Sequence, residues 1–558
     1  MGPKTQLVAL LITTVVTAIV RPADARQIYV SPAGNDANSG LASTSPLKTI
    51  AAGSAKAEPG DVVNLAAGVY NEAIVPVRSG TSGSPITYRA MVDGKAVLSH
   101  NSVGGLDAAI RLVSVSHIVV EGVLVDGRRM APEAVVNKFA EMDDSVDITI
   151  RGSKFQFANG WAGFDIKRSS RIVIEDNEID WVGQYQGADG SAKGDSISVT
   201  ESASRILIRR NRLRHGGHNL LRLDGSLCIV EDNFFDNSFR DVLLGDAGYR
   251  SASIMGASNV FQRNFVTGSG IGSLVPDPPL IKVEGRQNIA RFNVLARGKA
   301  GGLSSSARTG QPLATKLRLY NNTFYRLGEH AWRLEIFDGG EDVSSNVFVN
   351  NLIVDTRLTS PDSGSSTDVL IKLKDAGSLP LAGGGVRNNM FSPYGLRKPR
   401  TTLAGFDGTM EIEVAQARFP ESFQGNLHEV PKFVSLDPRS IESFDLEAGS
   451  AGIDEGAFLT TVIGTGMSSK VRLADSLYFT DGFGIAAGDV LQFQGTGERA
   501  QIVAIDHATG VITLSRSVSY RDQQGVALVF EGAAPDIGAR EWIAGTKVAP
   551  NPPTLQVR

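Results

Sequence analysis

RIVIEDNEI at Arg171–Ile179 returns along the chain as RILIRRNRL (Arg205–Leu213), CIVEDNFF (Cys228–Phe235), NVFQRNFV (Asn259–Val266) and NIARFNVL (Asn288–Leu295). LRLYNNTF (Leu317–Phe324), VFVNNLIV (Val347–Val354) and GGVRNNMF (Gly384–Phe391) continue the series. Each is a short apolar, often β-branched run, then polar residues ending in Asn, then an apolar residue. The aligned asparagines are Asn177, Asn211, Asn233, Asn264, Asn293, Asn322, Asn351 and Asn389, at intervals of 34, 22, 31, 29, 29, 29 and 38 residues. That is a repeat with loop insertions.

No amphipathic stretch of helical length separates the runs, so the repeat unit consists of strands and turns. One such unit cannot bury its own apolar face. Neighbouring units must stack in parallel and share a continuous core of Ile, Val, Leu and Phe. The Asn falls where the strand bends, where its amide can bond local backbone and tolerate a left-handed conformation. A stack of such residues can also bond amide to amide along the axis.

These repeats resemble the right-handed parallel β-helix of pectate lyases and related polysaccharide lyases. Near the start, IYVSPAGNDANSG (Ile28–Gly40), SPLKTI (Ser45–Ile50) and PGDVVNLAAGVYNE (Pro59–Glu72) are similar to the opening segment of secreted bacterial proteins of that type. Here Ser45 is expected to cap a short helix with Pro46 at its first position. Leu47, Ile50, Ala51 and Ala55 would lay that helix over the open end of the solenoid, where unpaired strand edges need cover. Near the end, FDLEAGSAGIDEG (Phe444–Gly456) and PDIGARE (Pro535–Glu541) resemble the closing segment. Between them KVRLAD, DVLQFQG, AQIVAID and GVITLS alternate as strands of a small inserted β module. Its expected role is to brace the last coils, with carbohydrate binding as the alternative.

The expected organisation is all-β. Residues 1–25 form an export signal, 26–458 the β-helix with its N-terminal helical cap, 459–534 the inserted module, and 535–558 the closing segment and tail. The signal is read from Lys4, the apolar stretch Leu7–Val20 and the small residues of Ala23-Asp24-Ala25. It implies a secreted or periplasmic protein with no membrane attachment after cleavage. The 55 Lys plus Arg against 59 Asp plus Glu, a net charge of -4, exclude a generally basic nucleic-acid binder. The single Cys228 excludes an internal disulfide and a multi-cysteine zinc site.

Gly187-Ala188-Asp189-Gly190-Ser191-Ala192-Lys193 resembles a motif of family 9 pectate lyases. The resemblance implies a calcium ligand at Asp189 and a catalytic role for Lys193. On the following coil that family carries several carboxylates, whereas His215-Gly216-Gly217-His218-Asn219 has none. Elimination from a uronic acid polymer needs a base for the proton beside the carboxylate and a cation for the enolate-like charge. Six Arg and two His between Arg205 and Arg222 concentrate positive charge in one coil, and Lys282 and Arg286 follow farther on. Lys282, Arg214, His215 and His218 join Lys193 as catalytic candidates. Arg210, Arg212, Arg222 and Arg286 are candidates for holding the substrate. Each has a bland competitor, since an outward Arg or Lys commonly pairs with an acid of the next coil. A second calcium possibility is the acidic set Asp232, Asp236, Asp241 and Asp246.

Three function classes follow: a lyase or epimerase on an anionic, uronate-containing polysaccharide; a glycoside hydrolase on the same fold, which needs two carboxylates across a groove; or a non-catalytic glycan-binding surface protein. The lyase is favoured. The polymer and the oligomeric state are not legible.

Overall fold

A computed structural model describes residues 25–543, apart from 100–107, 128–135, 159, 183–193, 238–249, 270–278, 299–300, 308–313, 337–344, 355–368, 375–384, 393–397, 403–407 and 436–439. Three long sheets run the length of the solenoid. Among the described residues sheet A has 14 strands and sheets B and C have 12 each, and successive turns of chain visit the sheets in the order C, A, B. One coil comprises Ala162–Lys167 in sheet C, Ser170–Glu175 in sheet A and Glu178–Val182 in sheet B. Pairing between coils is parallel, as in Ile172↔Ile206 and Ile208↔Val230, until Arg400–Thr402 pairs antiparallel with Met410–Glu411 at the end of sheet C. Inward rows such as Phe164, Ile197, Leu221, Ala252 and Ile281 stack into one buried core, as the alternation of strand faces requires. The chain is a parallel β-helix.

The corner between sheets A and B holds the repeated asparagines. In each, backbone N–H and side-chain Nδ2 donate to Oδ1 of the Asn one coil on, at 3.0 and 3.1 Å for Asn177 to Asn211 and 3.0 and 3.1 Å for Asn264 to Asn293. Nδ2 also donates to a core-strand carbonyl, as from Asn264 to Val230 at 3.0 Å. The ladder runs one step beyond the eight repeats, to Asn426, and ends on Gln416 from the short helix Ile412–Arg418. Asn426 escaped the repeat search because Phe423-Gln424-Gly425 carries no β-branched run. The left-handed residue is not the Asn but the one before it. Asp176, Arg210, Asp232, Arg263, Phe292, Asn321, Asn350 and Asn388 all have φ between 49° and 57°. The bend is made one position early, which turns the Asn side chain inward along the axis.

The N-terminal helix spans Ile50–Lys56, and its cap is Thr49 rather than Ser45; Thr49 Oγ1 accepts from Ala52 N–H at 3.1 Å. Glu72 accepts from the N–H groups of Ile50 and Ala51, satisfying two more of the first-turn donors. The buried face is Ile50, Gly53 and Ser54, whereas Ala51 and Ala55 are exposed. A Cβ at Gly53 would lie 2.9 Å from Val30 Cγ2 and 3.0 Å from Val63 Cγ1, so only glycine allows the helix this close to the first strands. The expected export segment lies outside the described residues, except for Ala25. Among the described residues no helix is long and apolar enough to cross a membrane.

The inserted module is a closed six-stranded barrel whose strands lie between Thr460 and Leu528. It sits on the outer face of sheet A, where Leu207, Ile229, Val260, Ile289 and Val347 join the barrel's own core. Arg291, wholly buried, donates twice to Asp489 at 2.9 and 2.6 Å, and Arg318 donates to Asp475 at 3.1 and 2.6 Å. The module is thus joined to sheet A by an apolar interface and two ion pairs.

Candidate functional site

The basic coil does not form one patch. Because a coil passes round three sheets, its arginines point in three directions. Arg209 and Arg210 lie on or beside sheet A and pair with Glu175, Arg210 also with Asp176. Asp176 raises the Arg210 pKa through their hydrogen bonds. Arg212 and Arg214 lie on sheet B. The Arg212 guanidinium sits 4.2 Å over the Phe234 ring, and its pKa is lowered by burial first and then by neighbouring Arg214. Arg214 donates to Asp180 Oδ2 at 2.8 Å, and His215 Nδ1 lies 2.5 Å from Asp180 Oδ1. His215 also ends a stack of rings from successive coils, 4.2 Å from Trp181, which is in turn 6.2 Å from Phe157. Arg286 is exposed in the turn after Ile281–Val283.

Arg222 and Lys282 share the outer face of sheet C. The register there runs Glu141, Asp165, Ser198, Arg222, Ser253, Lys282, Ser304 and Arg333, one residue per coil. Arg222 donates to Asp224 at 3.0 and 2.7 Å, which raises its pKa. Lys282 Nζ is 2.7 Å from the buried carboxylate of Glu284, and Arg333 pairs with Glu335. At the acidic end Lys138 and Lys167 both reach Asp165, at 2.8 and 3.2 Å.

Between these residues lies a cavity of about 500 Å³, walled by Lys138, Trp161, Asp165, Lys167, Asp195 and Arg222 among others. Trp161 is 67% exposed at its rim, although large aromatics are usually well covered. Asp195 is buried and accepts from the Asn219 backbone and side chain at 3.1 and 2.9 Å, and its Oδ1 is 2.9 Å from His218 Nδ1. His218 Nδ1 also lies 2.8 Å from Asn219 Nδ2, so the ring's tautomer follows from which neighbour it bonds: a proton on Nδ1 that donates to Asp195 leaves Nε2 as the proton-accepting nitrogen. The tight turn Gly216-Gly217-His218 brings this ring to the edge of sheet C. Arg222 and Lys282 therefore share one face, and His218 is tied to it through Asp195, whereas Arg210, Arg212, Arg214 and His215 lie on or beside other sheets. Trp161, Asp195, Lys138 and Lys167 escaped the sequence reading because each is isolated in the chain and meets the others only across coils.

Asp189 and Lys193 lie outside the described residues, as do Asp241 and Asp246. Asp232 is taken by Arg263. Among the described residues no group of three or more His, Cys, Asp or Glu could hold a metal ion. Asp143 and Asp144 sit side by side at the end of one strand and its turn, not across a groove.

No protein-family profile matches the chain. The uncharacterised protein YwoF of Bacillus subtilis (strain 168) is 27% identical over 206 residues, 36% of this chain. The match spans about two fifths of YwoF (39%). Among solved structures, the pectate lyase Pel9A is 14% identical with a TM-score of 0.46, covering 93% of this chain and 97% of its own. An alginate lyase from Paenibacillus sp. str. FPU-7 is 17% identical with a TM-score of 0.38, covering 52% and 96%. The GH136 lacto-N-biosidase from Eubacterium ramulus is 12% identical with a TM-score of 0.37, covering 73% and 68%.

Proposed function

We propose that the protein is an exported carbohydrate-active enzyme that cleaves an anionic, uronate-containing polysaccharide by β-elimination in the groove of sheet C. The observation that supports this best is that Asp195, which lines the cavity together with Arg222, is paired with His218. Asp195 thereby links a general base that it orients to a guanidinium that suits a substrate carboxylate. In this reading Arg222 pairs with the uronate carboxylate and stabilises the charge that develops on it. His218 Nε2 removes the proton on the adjacent carbon, and Asp195 supports the imidazolium. A carbon–carbon double bond forms as the glycosidic carbon–oxygen bond breaks, and the departing oxygen takes up a proton from solvent. Trp161 offers its ring face to a sugar, and Lys282 extends the anionic subsites.

No step is routed through calcium; Asp189 remains the residue through which a calcium requirement is proposed. A hydrolase is the second reading, favoured by Asp165 and Asp195 lining the same cavity. The test is incubation of the purified protein with pectic, alginate and glycosaminoglycan polymers, with and without calcium. New ultraviolet absorbance from unsaturated ends, lost by at least a hundredfold in His218→Gln with substrate affinity retained, is the expected result. Reducing ends without absorbance would support the hydrolase, and binding without either product a glycan-binding protein.

A further inference from the structure

The outward row of sheet C has a period of two coils. From Ser198 it reads Ser198, Arg222, Ser253, Lys282, Ser304, Arg333, a cation on every second coil and a hydroxyl on each coil between. It is bounded by Asp165 before Ser198 and by Lys372, which follows Arg333 directly in register. Neighbouring strands lie ~4.8 Å apart, so successive cations are separated by ~10 Å along the axis. One coil is thus close to the advance of one sugar in an extended (1→4)-linked chain, and the cations face alternate sugars.

Each cation has an acid two positions on in the chain, and in each pair the cation is the more exposed partner. Side-chain exposures are 36% for Arg222 against 26% for Asp224, 22% for Lys282 against 0% for Glu284, and 33% for Arg333 against 11% for Glu335. The acids hold the cations from below. Both hydrogen bonds of Arg222 go to one oxygen of Asp224, which leaves further guanidinium N–H donors directed elsewhere.

We infer that the groove selects polymers that turn a carboxylate toward sheet C at every second sugar. Arg222, Lys282 and Arg333 each take one carboxylate, and the intervening Ser198 and Ser253, both buried, only space the cations. The inference rests on the groove of the proposed function, but not on His218 or on elimination. Two sources have this chemistry: a copolymer in which uronate alternates with a neutral sugar, and a uronate homopolymer extended with two-fold symmetry.

The test uses the full chain carrying His218→Gln and measures equilibrium binding to size-defined oligosaccharides of both kinds. Affinity is expected to rise roughly tenfold with every second added sugar, as a charge-assisted contact forms. Arg222→Gln, Lys282→Gln and Arg333→Gln should each remove one step, Lys282→Arg should restore it, and Ser253→Ala should leave all steps in place. Steps in the alternating series alone identify the copolymer; steps in both identify the shared geometry. Affinity that grows evenly with each sugar, or glutamine variants that bind like the parent, overturns the inference. Stepwise binding by a protein whose wild type releases no unsaturated ends would sink elimination and leave the inference standing.

Discussion

Asn264→Ala tests whether the corner ladder holds the coils together. Asn264 is wholly buried, and its Oδ1 accepts from the Asn233 backbone and side chain, both at 3.0 Å. Its Nδ2 donates to Val230 O at 3.0 Å and to Asn293 Oδ1 at 3.1 Å. Alanine removes all four bonds but keeps the backbone bond to Asn293. The other groups are not equally stranded: Asn233 Nδ2 still reaches Ile208 and Glu231, and Asn293 Oδ1 still accepts from the residue-264 N–H. Asn233 N–H loses its acceptor. One stranded buried donor costs about 1–3 kcal/mol and the three remaining bonds about 1 kcal/mol each, so the expected loss is roughly 4–6 kcal/mol. Asn426→Ala removes the corresponding bonds at the half-buried end of the ladder, where water can replace the lost partners, and should cost less than Asn264→Ala. Guanidinium midpoints compare the two, and amide exchange of the Asn233 N–H locates the damage. A long stacked array need not unfold in one step, so amide exchange is the deciding measurement. Midpoints within about 0.5 kcal/mol of wild type, with protection intact at Asn233, would refute the ladder as a structural element.

Asp489→Ala should strand the buried charge of Arg291, cost about 3–5 kcal/mol and speed proteolysis of the barrel; unchanged cleavage rates would mean that apolar contacts alone seat it. Burial first, then the neighbouring Asp536, raises Glu541 to about 8, and burial raises Asp536 to about 6. In that window the unfolded chain is ionised while the native pair holds its protons. Stability from these groups is therefore full below about pH 4 and falls toward pH 8, by up to ~1.4 kcal/mol per pH unit for each group. Glu541→Gln should match wild type at pH 4 and exceed it at pH 8, and parallel pH profiles would refute the assignment. Arg212→Ala and Arg214→Ala, on sheet B, should leave the salt dependence of glycan binding unchanged, whereas Arg222→Gln should flatten it; equal responses would remove the case for sheet C as the anionic-glycan surface.

The solenoid was legible because its determinants are local and recur. Ile206 and Ile208 with Asn211 say in one coil what Ile172 and Ile174 with Asn177 say in another. The site was less legible because its members are distant in sequence. The Arg205–Arg222 segment reads as one basic cluster, yet rotation about the axis sends Arg210, Arg214 and Arg222 to different sheets. Conversely, Asp195 and His218 come from successive coils, and nothing in either segment announces the other. The position of the left-handed residue was misplaced by one because any polar residue can occupy it, and even Phe292 does.

The barrel's seat on sheet A has a further consequence. Its footprint runs over the strands of Leu207, Ile229, Val260, Ile289 and Val347, and Arg291 and Arg318 tie it to two successive coils. These are the coils that carry Arg222 to Arg333 on sheet C. Most solenoids can gain or lose a whole turn without offending any neighbour beyond the next. Here an extra turn inserted between Ile229 and Val347 would pull the barrel's anchors out of step before it added a subsite. The barrel works as a gauge block, fixing the number of coils between its anchors and with it the length of the cation row on sheet C.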